Sequence, residues 1–356
     1  MQSAVFHGRK DIRVESIPEP SVGSDEVLID VAACGICGSD LHEYVAGPIF
    51  IPDEEPHPVT GETAPVPMGH EFGGEVVAVG DDVEDIAVGE VVAVNPIVYC
   101  GTCRYCEAGK YHLCESVGFV GLAGGGGGFS EQVAVPAEQA IPLPEGVPTE
   151  YSALVEPFAV GLHAVRNAEF EPGDSVAIFG TGPIGLTVVQ AAAAGGAGTV
   201  YAVEPQDSRR EMAAEVGADV PIDPTEGDAV ETILEQSGGG VDATFEVAGI
   251  SPTVRDAIAT AKKDGSVTIV SIFEEHVEID ANAIVLGERS VGGTLAYEGG
   301  PRGDIEFGAV LDMFADGTLD PEPLITSRID LDAVIDDGFE ALLDDDREEI
   351  KILVEH

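Results

Sequence analysis

Apolar and polar positions follow different patterns in the two parts of the chain. Up to about residue 150, short apolar runs are interrupted by glycine and proline, which predicts an irregular β-rich domain. Beyond it, apolar runs of strand length alternate with stretches of helix length. Strands are predicted at 175–179, 219–223, 241–249, 265–273 and 290–297, and helices near 207–216, 226–237 and 252–263. This alternation predicts a doubly wound, parallel α/β sheet.

The pattern divides the chain into three segments. Residues 1–156 are expected to form the β-rich domain, residues 157–296 the α/β domain, and residues 297–356 to return to the first domain. The acidic stretch at 330–349 predicts an amphipathic helix with a solvated face. No helix directly follows the five glycines at 124–128, so we interpret them as a flexible loop rather than a phosphate-binding loop.

The turn after the strand at 175–179 carries a motif for binding a dinucleotide. It consists of Gly180, Thr181, Gly182, Pro183, Ile184 and Gly185. Such glycines allow a tight turn and a close approach to a pyrophosphate, which the following helix N-terminus attracts. Glu204 ends the next strand, where a carboxylate accepts from both ribose hydroxyls and repels a 2′-phosphate. NAD is therefore favoured over NADP, while Arg209 and Arg210 keep NADP open.

Four of the six cysteines are clustered in the run YCGTCRYCEAGKYHLC. They are Cys100, Cys103, Cys106 and Cys114. Short turns at this spacing let four thiolates converge on one ion and leave no open position, so we expect a structural zinc. An iron–sulfur cluster is the alternative. Disulfides are disfavoured because disulfide scaffolds are usually small, secreted and richer in cysteine.

Other candidate ligands are spread over the first domain. Cys34 and Cys37 form a C-x-x-C pair, which also occurs in redox dithiols, but no thioredoxin-like strand and helix accompany it. His70 and Glu71 lie side by side and offer a nitrogen and a carboxylate. Glu156 stands among apolar residues, where an acid is expected to be paired or metal-bound. Beside a nucleotide motif, this set indicates a second metal site.

The charge of the chain is extreme. Asp and Glu number 66 against 16 Lys and Arg, which gives a formal net charge of −50. Such a surface repels itself in dilute buffer, whereas in molar salt the Debye length falls to about 3 Å. The composition therefore indicates adaptation to a salt-rich cytoplasm. A role in cation binding is the alternative, but no loop has the spacing of calcium ligands.

The charge and the apolar runs also restrict the partners. An acidic surface disfavours binding to nucleic acid or to an anionic membrane. No apolar run is long enough to span a bilayer, and the first residues lack the profile of a secretory signal. We therefore expect a cytoplasmic protein that acts on a small molecule.

These motifs, in this order, resemble the zinc-dependent medium-chain dehydrogenases along nearly the whole chain. The family signature G-H-E-x2-G-x5-G-x2-V is met from Gly69 to Val83. The resemblance implies a GroES-like catalytic domain with a Rossmann domain, one structural and one catalytic zinc, and NAD-dependent alcohol oxidation. It also implies a homo-oligomer, either a dimer or a tetramer.

The resemblance assigns the catalytic zinc to Cys37, His70 and an acid, for which Glu156 is favoured with Glu71 close by. The open position of the zinc would take the alcohol oxygen and lower the pKa of the hydroxyl. The alcohol could then pass its hydride to the nicotinamide.

The resemblance further implies a path for the alcohol proton. The proton would leave through the hydroxyl of Ser39 and then the imidazole of His42 to solvent. The family often carries another relay histidine three positions later, where this chain has Val45. The last step of the relay is therefore open.

Within the family, three segments look like those of 2,3-butanediol dehydrogenases, namely 42–62, 118–129 and 153–166. They imply oxidation of a vicinal diol to acetoin, and the reverse reaction. Ile49 and Phe119 would then form apolar walls of the substrate site, together with Tyr297. Sorbitol-type enzymes commonly carry Arg before this tyrosine; Ala296 stands here and disfavours a long polyol.

Two alternative functions follow from the same motifs. Oxidation of sorbitol, threonine or glucose would use the same zinc chemistry. A noncatalytic, nucleotide-binding relative is the alternative of another class. The candidate catalytic residues are complete in this chain, which favours an enzyme.

Overall fold

The structure, a computed structural model, describes residues 1–273, 275–300, 305–344 and 348–356, without the side chain of Ile305. The chain forms two compact units. Unit 1 comprises Met1–Glu156, Glu298–Asp316 and Ile325–His356, and unit 2 comprises Pro157–Tyr297 and Gly317–Leu324.

The first 156 residues are mainly short strands. In chain order the elements are β1 (Gln2–Gly8), β2 (Asp11–Ser16), β3 (Glu26–Gly35), α1 (Gly38–Ala46), β4 (Val66–Pro67), β5 (Glu71–Val79), β6 (Val91–Val94), β7 (Ile97–Val98), α2 (Arg104–Glu107), β8 (Gly118–Phe119), β9 (Gln132–Pro136) and β10 (Ala140–Pro142). Alternate residues of β3, Val27, Ile29 and Val31, are buried in the core of unit 1. This period of two is typical of strands with one face on a core.

Strands and helices alternate regularly through the next part of the chain. The elements are α3 (Val155–Asn167), β11 (Ser175–Phe179), α4 (Pro183–Ala194), β12 (Thr199–Val203), α5 (Asp207–Glu215), β13 (Val220–Ile222), α6 (Ala229–Ser237), β14 (Val241–Glu246), α7 (Ser251–Thr260), β15 (Ala261–Ile269), α8 (Ala281–Val285) and β16 (Ser290–Gly293). The sheet order is β13-β12-β11-β14-β15-β16, and all pairs are parallel. The predicted doubly wound sheet is confirmed.

The carboxy-terminal part returns to the sheet of unit 1. It contains α9 (Ile305–Asp316), β17 (Ile325–Asp330), a π-helical turn (Val334–Glu340), α10 (Ala341–Leu343) and β18 (Lys351–Glu355). β18 lies between β3 and β17 in the order β10-β6-β5-β3-β18-β17, and β9 also pairs with β3. Smaller sheets have the orders β2-β1-β4 and β7-β8. The β-rich unit is consistent with the predicted GroES-like fold.

The structure differs from the sequence prediction within 297–356. Tyr297 and Gly317–Leu324 belong to unit 2 rather than to unit 1. The reason for the latter is a pair of hydrogen bonds between the side chain of Gln190 on α4 and the backbone of Asp320, both 2.8 Å long.

Two further details correct the sequence prediction. The stretch predicted as one helix at 330–349 is π-helical over Val334–Glu340, and its residues 345–347 lie outside the described residues. Four of the glycines at 124–128, all except Gly125, are packed rather than loose. A Cβ on Gly128 would lie 2.5 Å from Phe72 and 2.7 Å from Cys34 Sγ. Among the described residues, no helix is both long and apolar enough to cross a membrane.

Candidate active site

Cys37, His70 and Glu71 converge in unit 1, and we call these three residues the metal-donor group. Cys37 directly precedes α1, and His70 and Glu71 lie where the chain enters β5. One donor atom of each residue, sulfur, nitrogen or oxygen, lies within 4.8 Å of the other two. His70 and Glu71 are buried and Cys37 is partly buried. One thiol, one imidazole and one carboxylate fit a zinc ion with an open fourth position.

Residues of α1 hold the imidazole of His70 from two sides. Asp40 Oδ1 lies 3.4 Å from Nδ1, and Asp40 Oδ2 accepts the N–H of Cys37 at 2.9 Å. Ser39 Oγ lies 3.1 Å from Nε2. Burial opposes the charged form of His70, but the charges of Asp40 and Cys37 outweigh burial and raise its pKa. A carboxylate beside one ring nitrogen orients a histidine whose other nitrogen binds a metal.

A buried ion pair joins Glu71 to the last strand. Lys351 on β18 donates to both Glu71 carboxylate oxygens, at 2.9 and 2.7 Å, and to the carbonyl of Ile36 at 3.0 Å. The two side chains have almost no exposed surface. Burial disfavours the ammonium of Lys351, but the Glu71 carboxylate outweighs burial and raises the pKa of Lys351. The ammonium therefore compensates a charge that solvent does not reach.

Glu156, the acid favoured from the sequence, is not part of the group of three in the described chain. It is buried at the start of α3, close enough to Lys351 for its charge to favour the ammonium. The structure brings Glu71 to within 4.8 Å of the donors of Cys37 and His70. Ligation by Glu156 stays a prediction.

The four clustered cysteines also come together, around α2. The sulfur of Cys103 lies 3.6 Å from that of Cys106 and 4.0 Å from that of Cys114. Two sulfurs on one tetrahedral zinc are about 3.8 Å apart, whereas a disulfide is about 2.05 Å long. The backbone N–H groups of Thr102 and Cys103 lower the pKa of Cys100 to about 6, which favours a thiolate. The cluster fits a structural zinc.

The glycine motif forms the turn between β11 and α4 in unit 2. Gly180 has a φ of +94°, and a Cβ on it would lie 2.9 Å from Ala248. Open space surrounds the Cβ position of Gly182, and Pro183 begins the helix, followed by Ile184 and Gly185. The strand order reverses between β11 and β14, which is where such sheets bind dinucleotides. The turn fits a pyrophosphate at the N-terminus of α4.

Glu204 fastens the glycine turn to the end of β12. Its carboxylate accepts the N–H of Thr181 at 2.9 Å and that of Gln206 at 3.1 Å. Each carboxylate oxygen can accept a second hydrogen bond, so capacity for ribose hydroxyls is left. The carbonyl of Arg209 accepts the Thr181 hydroxyl at 3.3 Å. Arg210 donates to the carbonyl of Glu204 and pairs with the side chains of Asp207 and Asp223.

The predicted relay and substrate residues are placed as follows. Ser39 and His42 lie three positions apart on α1, and His42 is exposed. The ring of Phe119 on β8 lies 6.3 Å from that of His70, centroid to centroid. Ile49 is exposed after α1, and Tyr297 is fully buried in unit 2. The structure thus brings Ser39 and Phe119 to His70, and the roles of all five residues stay predictions.

Sequence reasoning missed Asp40 and Lys351. Asp40 follows Cys37 by three positions, the spacing at which a side chain reaches back to a helix cap, so this contact had a weak signal. Lys351 is 280 positions from Glu71. In the sequence, Lys351 directly precedes the apolar run ILV of the last strand. A charge buried there needs a partner, but the sequence does not show which residue that partner is.

Comparison with known proteins gives full-length matches. The profile of the alcohol dehydrogenase GroES-like domain matches residues 23–145, and that of the zinc-binding dehydrogenase matches residues 183–316. The (R,R)-butanediol dehydrogenase of Bacillus subtilis (strain 168) is 48% identical, over 99% of both chains.

Solved structures match equally well. The crystal structure of 2R,3R-butanediol dehydrogenase from Bacillus subtilis has a TM-score of 0.93 and 47% identity, over 100% of this chain and 99% of that one. A protein from Sinorhizobium meliloti 1021, solved with NADP, has a TM-score of 0.90 and 34% identity, with the same coverage. The fold is therefore shared with these proteins over the whole chain.

Proposed function

Because the chain belongs to the zinc-binding medium-chain alcohol dehydrogenases, we propose that it oxidises a short vicinal diol, 2,3-butanediol, with NAD as the hydride acceptor. The observation that carries this function is the convergence of Cys37, His70 and Glu71 on one point. The choice of substrate is supported by 48% identity to a butanediol dehydrogenase over the full length.

Cys37, His70 and Glu71 are the residues that would hold the catalytic zinc, with Glu156 as the alternative acid. When bound, zinc supplies a Lewis acid that lowers the pKa of a hydroxyl group in contact with it. Asp40 keeps the ring of His70 in a fixed orientation. The cysteine cluster would hold a second zinc that stabilises its lobe.

We assign the transfer of the alcohol proton to two side chains of α1, Ser39 and His42. The Ser39 hydroxyl lies beside the metal-donor group, 3.1 Å from His70 Nε2. His42 lies one helical turn further, on the same face of α1, and is exposed to solvent. Ser39 would accept the proton, and the His42 imidazole would release it to water.

NAD is the cofactor that Glu204 supports. A carboxylate at the end of β12 accepts from ribose hydroxyls and repels the 2′-phosphate of NADP. The Glu204→Ala variant should therefore bind NAD more weakly, with a smaller change for NADP. The affinities are measured by fluorescence titration with NADH and NADPH. Equal losses of affinity for both would contradict a role of Glu204 in selecting NAD.

A homo-oligomer is supported by one edge of the sheet in unit 2. β16 is the last strand of the sheet order, and exposed apolar residues, Ile279, Val285 and Leu286, precede it in the chain. Open edges with apolar surroundings favour pairing with another chain. Light scattering in concentrated KCl should give a dimer or a tetramer; a monomer would contradict this assignment.

The direct test of the function is NADH formation in concentrated KCl. The substrates are the stereoisomers of 2,3-butanediol, sorbitol, threonine and glucose, each with and without a zinc chelator. We expect chelator-sensitive oxidation of one butanediol stereoisomer. Oxidation of sorbitol, threonine or glucose alone would overturn the proposed substrate. No turnover in folded, zinc-loaded protein would overturn the proposed function.

A further inference from the structure

A fully buried carboxylate lies on α1 beside the proposed relay. Glu43 has no exposed surface. Its Oε2 accepts the N–H of Ile49 at 2.9 Å, and its Oε1 accepts the N–H groups of Phe50 and of Ile51, the latter at 3.1 Å. Three successive backbone donors thus compensate this charge, as in an anion-binding turn.

These hydrogen bonds fix how the chain leaves α1. The N–H of Gly47 also donates to the carbonyl of Glu43, so one residue holds both the helix end and the following turn. Ile51 enters the core, whereas Ile49 is 51% and Phe50 is 42% exposed. The hydrogen-bonded backbone therefore exposes the side chains of Ile49 and Phe50 to water. This exposure costs free energy because apolar surface is more stable when it is buried.

The turn and the loop that follows it connect α1, which begins after Cys37, with β8. Glu43 lies six residues after Cys37, about 9 Å along α1. The loop that follows the turn, at His57 and Thr60, packs against β8 and the residues after it. His57 Nε2 is 2.9 Å from the position of a Cβ on Gly118, and the Thr60 hydroxyl donates to the carbonyl of Ala123 at 2.6 Å. β8 also carries Phe119, whose ring lies beside His70. The loop thus runs from a point about 9 Å beyond Cys37 along α1 to the strand that carries Phe119.

We propose that Glu43 is a positioning residue of the substrate site, which holds residues 49–51 so that Ile49 and Phe50 form an apolar wall for the methyl ends of a short vicinal diol. The proposal rests on the function proposed above. An apolar wall accepts methyl groups, whereas the additional hydroxyls of a polyol would lose their hydrogen bonds to water against it.

The Glu43→Gln variant tests this role. It keeps the size of the side chain but replaces one acceptor oxygen by an amide that cannot accept from backbone N–H groups. We expect KM for 2,3-butanediol to rise about tenfold, the equivalent of one charged hydrogen bond. The rate constant kcat and the zinc content should change less than about twofold, because Glu43 does not contact the metal-donor group. Selectivity for butanediol over sorbitol should fall.

Glu340→Gln is the matched control. Glu340 accepts the hydroxyl of Tyr44, the residue next to Glu43 on α1, at 2.6 Å. This variant removes an acid that also supports α1, so it reproduces a general loss of helix stability. It should leave KM and selectivity unchanged.

A second readout follows the turn itself. The chain contains no tryptophan, so Phe50→Trp introduces a single fluorophore on the proposed wall. In the Phe50→Trp background, Glu43→Gln should lower the fluorescence anisotropy of the tryptophan and increase its quenching by acrylamide. Glu340→Gln in the same background should change neither quantity. These measurements need no turnover, so they also report on the turn if butanediol is not the substrate.

Two results would overturn the proposal. One is a tryptophan signal that does not respond to Glu43→Gln, which would show that the carboxylate does not hold the turn. The other is a mobile turn with unchanged KM and selectivity for every alcohol that the wild-type protein oxidises, which would leave Glu43 a structural role only. Failure of butanediol itself as a substrate is seen separately, in the wild-type protein.

Discussion

Glu71 and Lys351 form an ion pair with almost no access to water. Burying two charges costs several kcal/mol per ion, which their attraction offsets only with good geometry. Here the ammonium reaches both carboxylate oxygens and one backbone carbonyl. The negative charge at the proposed metal site is therefore balanced before any cation binds.

Replacement of Lys351 by Met should destabilise the zinc-free protein strongly. The volume is similar, but Glu71 loses its partner, and an unpaired buried charge costs about 3–5 kcal/mol. The measurement is the free energy of unfolding of chelated protein in KCl, from denaturant titration. The double variant Lys351→Met with Glu71→Gln should recover most of the loss. If the single and the double variant lost equal free energy of unfolding, packing rather than charge would explain the effect.

Single residues were predictable where local spacing carries the information. The cysteine cluster and the glycine motif are short-range patterns, and the structure brings their members together. Lys351 and Glu71 meet only because β18 enters the sheet beside β3, which local spacing does not encode. Choosing between Glu71 and Glu156 likewise requires distances, since both acids are compatible with the sequence.

At the scale of elements, Asp242 joins three parallel strands of unit 2. It lies on β14, accepts the N–H and hydroxyl of Ser175 on β11 at 2.7 and 2.8 Å, and pairs with Lys262 on β15. Burial alone would raise the pKa of Asp242, but Lys262 and Ser175 outweigh burial and lower it. The ionised carboxylate thus stabilises the start of the central strands.

The Asp242→Asn variant should lose stability in a pH-dependent way. Because the folded-state pKa lies below the unfolded value of about 3.9, the carboxylate stabilises the fold above that pH. We expect a loss of about 1–2 kcal/mol at pH 7, measured by denaturant unfolding in KCl. The difference from wild type should shrink as the pH falls below about 4, because Asp242 becomes protonated. A difference that stays constant down to pH 3 would contradict this account.

Among the elements, the regular α/β part was the more predictable. β11 and β14 begin at the residues predicted for them, Ser175 and Val241. In β11 the reason is a continuous apolar run, Val176–Phe179, which is typical of a buried parallel strand. The predicted strand at 290–297 ends at Gly293, and Ala296 has a φ of +48°, which an extended strand cannot contain. The π-helical turn at 334–340 has the apolar spacing of an ordinary helix, so the sequence did not distinguish them.

At the scale of the whole molecule, the charge of −50 is the dominant property. The 16 Lys and Arg cannot pair with more than a fraction of 66 acids, and two of the pairs that do form serve the site and the central sheet. Repulsion among the unpaired acids favours unfolding at low ionic strength and is screened by salt. The charge therefore favours the folded state at high ionic strength.

The melting temperature should rise strongly with KCl. Screening that is worth about 3 kcal/mol corresponds to about 4 °C for a chain of this size. We expect at least that shift between 0.1 and 3 M KCl in a thermal melt. Sucrose at matched osmolality is the control, since it is excluded from the surface but does not screen charge. An equal shift in sucrose would contradict an electrostatic origin.

The central claim is a zinc site at Cys37, His70 and Glu71 that is separate from the cysteine cluster. The most direct test is the zinc content per chain of the wild-type protein and of Cys37→Ala, both purified in KCl and measured by elemental mass spectrometry. The account predicts two zinc ions in the wild type and one in the variant, which should retain NADH binding but not turnover. Two zinc ions in Cys37→Ala would contradict it.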